Sequence, residues 1–109
     1  MKLVFIAGPY TGGDVAKNVK AAIDAADKLM DLGLAAFVPH LSHFQHMVHA
    51  RPYMDWTVND RAILMRCDAL FRIPGISPGA EAEVALAQEL GIPVFKKWTD
   101  LIHWAHGLE

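Results

Sequence analysis

Two carboxylates in this chain stand among apolar neighbours, where a charge needs either a partner or a chemical use. Glu83 follows Gly79 and Ala80 and precedes Leu86, Ala87 and Leu90. On a helix over Gly79–Leu90 these small and apolar residues share its face, so the carboxylate borders a core rather than open water. The positive end of the helix dipole would help keep it ionised. An ionised, partly desolvated carboxylate is a nucleophile candidate; the plainer alternative is a charge that only favours the dipole. Glu81 lies roughly 200° away around the same helix and is expected in solvent. Asp60 shares a helical stripe with Trp56, Ile63, Leu64 and Cys67. A carboxylate there must find a partner or a ligand, and Asn59 beside it adds a second polar group.

A second candidate is the turn Gly8-Pro9-Tyr10-Thr11-Gly12-Gly13. Placed between a strand and a helix, its glycines let backbone N–H groups approach an anionic or sugar ligand at the helix N-terminus. It is neither G-x-G-x-x-G, because Pro9 and Tyr10 interrupt it, nor a P-loop, because no Gly-Lys-Ser/Thr follows. A tight turn with no ligand is the alternative. His40, His43, His46 and His49 recur every third residue. That uniform spacing lacks the Cys or carboxylate companions of a usual zinc site, so no metal is expected. Base recognition or loop packing is expected of His40 and His43.

The elements that must carry these residues follow from periodicity. Leu3–Ala7 is a continuous apolar run, as in a strand covered on both faces. Asp14 is a candidate N-cap, and Val15, Val19, Ala22, Ile23, Ala26, Leu29 and Met30 form a helical stripe closed by Gly33. Leu34–Val38 reads as a second strand. Pro39–Pro52 has no clear period. A helix is expected from about Asp55 to Cys67, a strand over Asp68–Ile73, a helix over Gly79–Leu90, a strand over Ile92–Phe95 and a short helix over Thr99–His106. Alternating strands and helices predict an α/β fold: a small, doubly wound parallel sheet, Rossmann-like or flavodoxin-like, of about four to five strands. Ligands in such sheets sit at the carboxyl ends of the strands. Here those ends carry Gly8–Gly13, Pro39–His43 and Ile73–Gly79.

At 109 residues the chain is one domain's worth, and no linker, repeat or low-complexity segment divides it. A composition of 53% hydrophobic and 20% charged residues is globular rather than disordered. The net charge of −2, with Lys96-Lys97 the only basic doublet, argues against a nucleic-acid polymer as partner. No apolar run approaches the ~20 residues that span a bilayer, so no membrane is expected. The single Cys67 admits no internal disulfide, in keeping with a reducing compartment; a soluble cytoplasmic protein is expected. Trp56, Trp98, Trp104, Met47, Met54, Met65 and Phe44 are many large apolar residues for one small core, and a homodimer or homotetramer is expected to bury the excess.

Three segments together resemble a known family. They are Phe5-Ile6-Ala7-Gly8-Pro9-Tyr10, then Asn59-Asp60-Arg61, then Ser77-Pro78-Gly79-Ala80-Glu81-Ala82-Glu83 followed by Ala87 and Gly91-Ile92-Pro93-Val94. Their order and spacing, from Leu3 to Phe95, resemble the nucleoside 2-deoxyribosyltransferase superfamily, which includes the deoxynucleoside 5′-monophosphate N-glycosidases. The most specific part is the Gly-Ala-x-x-Glu block with Ser77 six residues before the Glu. The resemblance implies that Glu83 is the nucleophile and that Asp60 lies near sugar and base. It implies that Ser77 contacts the sugar 5′ side and Gly8 the sugar. It implies a nucleoside or nucleotide as the small-molecule partner, no cofactor or metal, and an active site at a subunit interface. Two positions depart from the pattern. Phe5 stands where characterised members often carry a Tyr bonded to the nucleophile. Pro9 and Thr11 stand where the monophosphate glycosidases carry Ser and Arg, which argues against a 5′-phosphate substrate.

Overall fold

The computed structural model describes residues 1–107. Four parallel strands, β1 (Leu3–Ala7), β2 (Ala35–Phe37), β3 (Ala69–Arg72) and β4 (Val94–Phe95), form one sheet in the order β2-β1-β3-β4. Five helices accompany them: α1 (Val15–Asp31), α2 (Ser42–Val48), α3 (Tyr53–Leu64), α4 (Pro78–Glu89) and α5 (Trp98–Ala105). The register pairs Phe5 with Phe37 on one side and with Leu70 on the other.

Side-chain alternation along the central strand divides the core in two. Val4 and Ile6 point, with Ala69 and Phe71, to a cluster that includes Ala22, Ala25 and Leu29 of α1 and Leu101 of α5. Phe5 and Ala7 point, with Leu70, to Leu64 of α3 and Ala80, Val84 and Ala87 of α4. Both faces of the sheet are covered, which is why the strands read as unbroken apolar runs. No helix among the described residues is long and apolar enough to cross a membrane.

Several expectations are corrected by packing. The sheet-facing stripe of α1 is Ala22, Ala25 and Leu29. Ile23 and Met30, expected on it, are 44% and 67% exposed, because a helix lying flat on a sheet buries a strip narrower than its apolar residues span. The unassigned histidine segment forms a 3-10 turn over Pro39–Leu41 and then α2. The tryptophans of the last helix are not surplus. Trp98 packs 4.2 Å from the ring of Phe71 and Trp104 5.4 Å from that of Phe95, with Lys28 and Lys2 over their outer faces at 4.4 and 4.3 Å. Met47, Met54, Met65 and Phe44 do remain exposed, at 57–69%.

Candidate active site

The loops that leave the carboxyl ends of β1, β2 and β3 meet. Gly8 lies so near β3 that a Cβ there would stand 3.0 Å from Ile73 Cβ. Gly75, at φ +127°, tucks under Pro9, and a Cβ on it would fall 2.6 Å from Pro9 Cγ; only glycine fits both the angle and the space. His40 Nε2 donates to Pro9 O at 2.9 Å, tying the β2 loop to the β1 loop. Asn18 Nδ2, from the first turn of α1, donates to Tyr10 O at 2.9 Å and Gly12 O at 2.7 Å, and so holds the glycine turn from below. Tyr10 Oη bonds His43 Nδ1 at 2.5 Å, and its ring meets that of His40 edge-on at 5.7 Å.

The two carboxylates stand on α3 and α4, the helices that cover one face of the sheet. Ser77 caps α4, its Oγ accepting from Ala80 N at 3.1 Å, and Pro78 begins the helix at a position that needs no amide donor. Glu83 follows about a turn and a half later, half-buried. Burial pushes its carboxyl up to about 8; the negative charge of Asp60 adds to the rise, while Arg72 and Arg61 oppose it. Asp60, on α3, is itself pushed up to about 6 by burial. Burial thus works against the ionised Glu83 that the helix N-terminus was expected to favour. Among the described residues, two buried side-chain polar atoms lack a hydrogen-bond partner, Asp60 Oδ1 and His40 Nδ1. Burial also lowers the pKa of His40, against the pull of the Pro9 and Gly8 carbonyls. With Nε2 donating to Pro9 O, the neutral ring leaves Nδ1 as a bare acceptor.

The other sequence candidates are distributed around this centre. Gly79 lies in the first turn of α4 beside α3, with the Tyr53 hydroxyl 3.5 Å from where its Cβ would be. Thr11 is exposed on the glycine turn. Asn59 is exposed one residue before Asp60 and lines, with Trp56, Phe37 and Gln45, a groove of about 470 Å³ along the open edge of β2. Three of the histidines have separate partners: besides His40 and His43, His46 Nδ1 accepts from Arg51 N at 3.1 Å and Trp56 Nε1 at 3.0 Å. Phe5 is fully buried.

Sequence reasoning missed Arg72 and Asn18. Arg72 is only 6% exposed. Its Nη2 donates to Glu81 Oε1 and to Gly75 O, both at 2.8 Å. The signal was present: period-two parity with Leu70 sends the Arg72 side chain toward α4, where Glu81 is the acid on the first turn. Glu81, expected in open solvent, is exposed but ion-paired.

The sheet order, the crossovers and the strand-end crevice define an α/β fold shared with solved 2-deoxyribosyltransferases. A 2-deoxyribosyltransferase of Bacillus psychrosaccharolyticus superposes with a TM-score of 0.65 at 20% identity, covering 92% of this chain and 90% of that one. The 2-deoxyribosyltransferase of Leishmania mexicana gives 0.66 at 17%, and a conserved protein of Enterococcus faecalis V583 gives 0.66 at 18%, each over 86% of this chain. The chain spans 62% and 61% of those two proteins, less than two thirds of their length. At these identities the likeness is one of fold. No curated protein matches the sequence. Residues 2–97 match the model of the family described as "Domain of unknown function (DUF7768)", and the chain belongs to that family.

Proposed function

We propose that this protein cleaves or transfers the N-glycosidic bond of a nucleoside or nucleotide, with Glu83 and Asp60 as its catalytic residues. The observation that supports the reading is a pair of half-buried carboxyls on neighbouring helices α3 and α4, each with its acidity lowered by burial and Glu83 feeling the charge of Asp60. The chemistry needs one carboxyl ionised to attack and the other protonated to serve the departing base. In the reactive form Glu83 is ionised and Asp60 protonated. Burial favours the opposite order, so the proton moves from Glu83 to Asp60 before the attack. A Glu83 oxygen then bonds to the anomeric carbon as the carbon–nitrogen bond breaks, and Asp60 gives its proton to the departing base. The glycosyl ester is resolved by water, which Asp60 deprotonates, or by the nitrogen of a second base, as in retaining glycosidases.

Gly8, Pro9, Tyr10 and Thr11 would border the sugar, Ser77 its 5′ side, and His40 and Asn59 the base. The exposed Phe44, Met47 and Val48 of α2 and Met54 and Val58 of α3, 59–74% accessible, would be covered in a homodimer or homotetramer whose neighbour closes the crevice against water.

A panel of nucleosides and 5′-monophosphates incubated with the protein tests this. Free base should appear from at least one of them. Glu83→Gln should abolish release, Asp60→Asn should slow it by about a hundredfold or more, and Glu89→Gln, at the far end of α4, should leave it unchanged. No base from any substrate, or equal rates for Glu83→Gln and Glu89→Gln, refutes the assignment. A second reading, a non-catalytic nucleotide-binding or sensing module, is favoured by Phe5, which is fully buried and has no hydroxyl to offer Glu83. It predicts binding of a nucleotide without release of base.

A further inference from the structure

Glu81 and Glu83 stand two residues apart on α4, yet only one of them takes the buried guanidinium of Arg72. Nε and Nη2 both donate to Oε1 of Glu81, at 3.2 and 2.8 Å. Nη2 also donates to Gly75 O at 2.8 Å, and Nη1 donates to Ile73 O. The fork is therefore filled by one carboxylate and by two carbonyls of the loop that leads into α4. A buried guanidinium requires a counter-charge, and α4 offers two. Helical spacing turns them roughly 200° apart, so that one arginine cannot grip both. Glu81 reaches Arg72 from a position where its side chain is still 64% exposed, whereas no hydrogen bond from a described residue reaches Glu83.

We propose that Glu81 is the dedicated counter-ion of Arg72, and that the pair anchors the guanidinium to the Ile73–Ser77 loop and limits the charge left to act on Glu83. Both are positioning residues for the crevice. Arg72 fixes the loop that presents Gly75 to Pro9 and Ser77 to the start of α4. Glu81 neutralises Arg72, so Glu83 remains an uncommitted carboxyl. The charged groups that act on Glu83 are Asp60 and Arg61 from α3 and Arg72 from β3. With Glu81 neutral, the Arg72 charge is no longer balanced and its attraction falls on Glu83, the nearer acid left on α4.

Calling Glu83 reactive rests on the function proposed above; the claim about its surroundings does not, and its test needs no substrate. Carboxyl carbon resonances of the 13C-Glu-labelled full chain are titrated across neutral pH in wild type, Glu81→Gln, Glu81→Ala and Glu81→Asp, with Glu83→Gln identifying the Glu83 signal. Glu81→Gln and Glu81→Ala should each make Glu83 about tenfold more acidic, as expected for an unbalanced cation nearby, and Glu81→Asp should return it toward wild type. A Glu83 midpoint that is unmoved or raised in both neutral variants overturns the proposal, as does Glu81→Asp behaving like Glu81→Gln. Where base release is measurable, the acidic limb of its pH–rate profile should move the same way in Glu81→Gln. If no protein releases base, the glycosidic reading fails while the titration still decides the ion pair.

Discussion

Replacing Glu83 by glutamine should flatten the fall in this protein's stability between about pH 4.5 and pH 8. The Glu83 carboxyl rises from 4.5 to about 8 on folding, chiefly by burial. Below the lower value both folded and unfolded chains hold the proton and nothing changes. Between the two, the folded state keeps a proton that the unfolded state has released. Stability therefore falls as pH rises, and the loss is complete above about pH 8. At 1.36 kcal/mol per pKa unit the whole loss is about 5 kcal/mol. Solvent at the open side of a half-buried group reduces this, and about 3 kcal/mol is expected. Against typical domain stabilities of about 5–15 kcal/mol, that is a large fraction. Asp60, raised to about 6, contributes its own loss at lower pH. His40, whose pKa is lowered, acts in the opposite sense, because its neutral form is favoured on folding. Both remain in the Glu83→Gln protein, so the difference between the two curves above pH 6 isolates Glu83. Urea unfolding of both proteins from about pH 5 to pH 9 measures it. Parallel curves would refute the desolvated carboxyl, and with it the proton transfer to Asp60 on which the proposed mechanism depends.

Two further outcomes follow from the same geometry. Gly75→Ala should destabilise the chain by about 1–3 kcal/mol in urea, because a side chain at φ +127° is strained and its Cβ meets Pro9 Cγ at 2.6 Å; a loss under about 0.5 kcal/mol would mean that the two loops are not held together as described. Light scattering at micromolar concentration should give a multiple of the 12.0 kDa chain mass, since the apolar faces of α2 and α3 are otherwise open to water, and a monomer would remove the proposed shared crevice.

The sheet was legible because its strands are covered on both faces. Leu3–Ala7 and Ala69–Phe71 are unbroken apolar runs, and no other placement hides them. Glu83 was legible because its helical neighbours are small and apolar, and Asp60 because of its stripe. What could not be read was the state of these groups. The dipole argument for an ionised Glu83 uses local sequence alone, whereas its raised pKa comes from burial and from the Asp60 charge on α3, which only tertiary packing brings to it. Arg72 escaped for a related reason: a lone arginine at the end of an apolar strand looks like a strand terminus until α4 folds back over it. The α1 stripe misled because periodicity gives the angular spread of apolar residues but not the width of the surface that receives them.

The distribution of these exceptions is itself informative. Over most of the chain local preference and packing agree: Asp14 caps α1, Gly33 ends its turn at φ +79°, and each strand alternates between two apolar clusters. The conflicts gather at one end of the sheet. An orphaned imidazole nitrogen on His40 and an orphaned carboxyl oxygen on Asp60, a carboxyl at Glu83 raised to about 8, and a buried guanidinium at Arg72 all belong to the crevice walls or to the loops that frame them. Each such group lowers stability if it serves only the fold. A sequence that is consistent elsewhere and bears these costs together, around one opening, is what a ligand-binding or catalytic centre requires. The backbone from Gly8 to Thr11 frames the loops there, and the proposed site would add the carboxyls of α3 and α4. A neutral or weakly polar ligand suits such a place better than a strongly anionic one, because the buried guanidinium of Arg72 is already bound to Glu81.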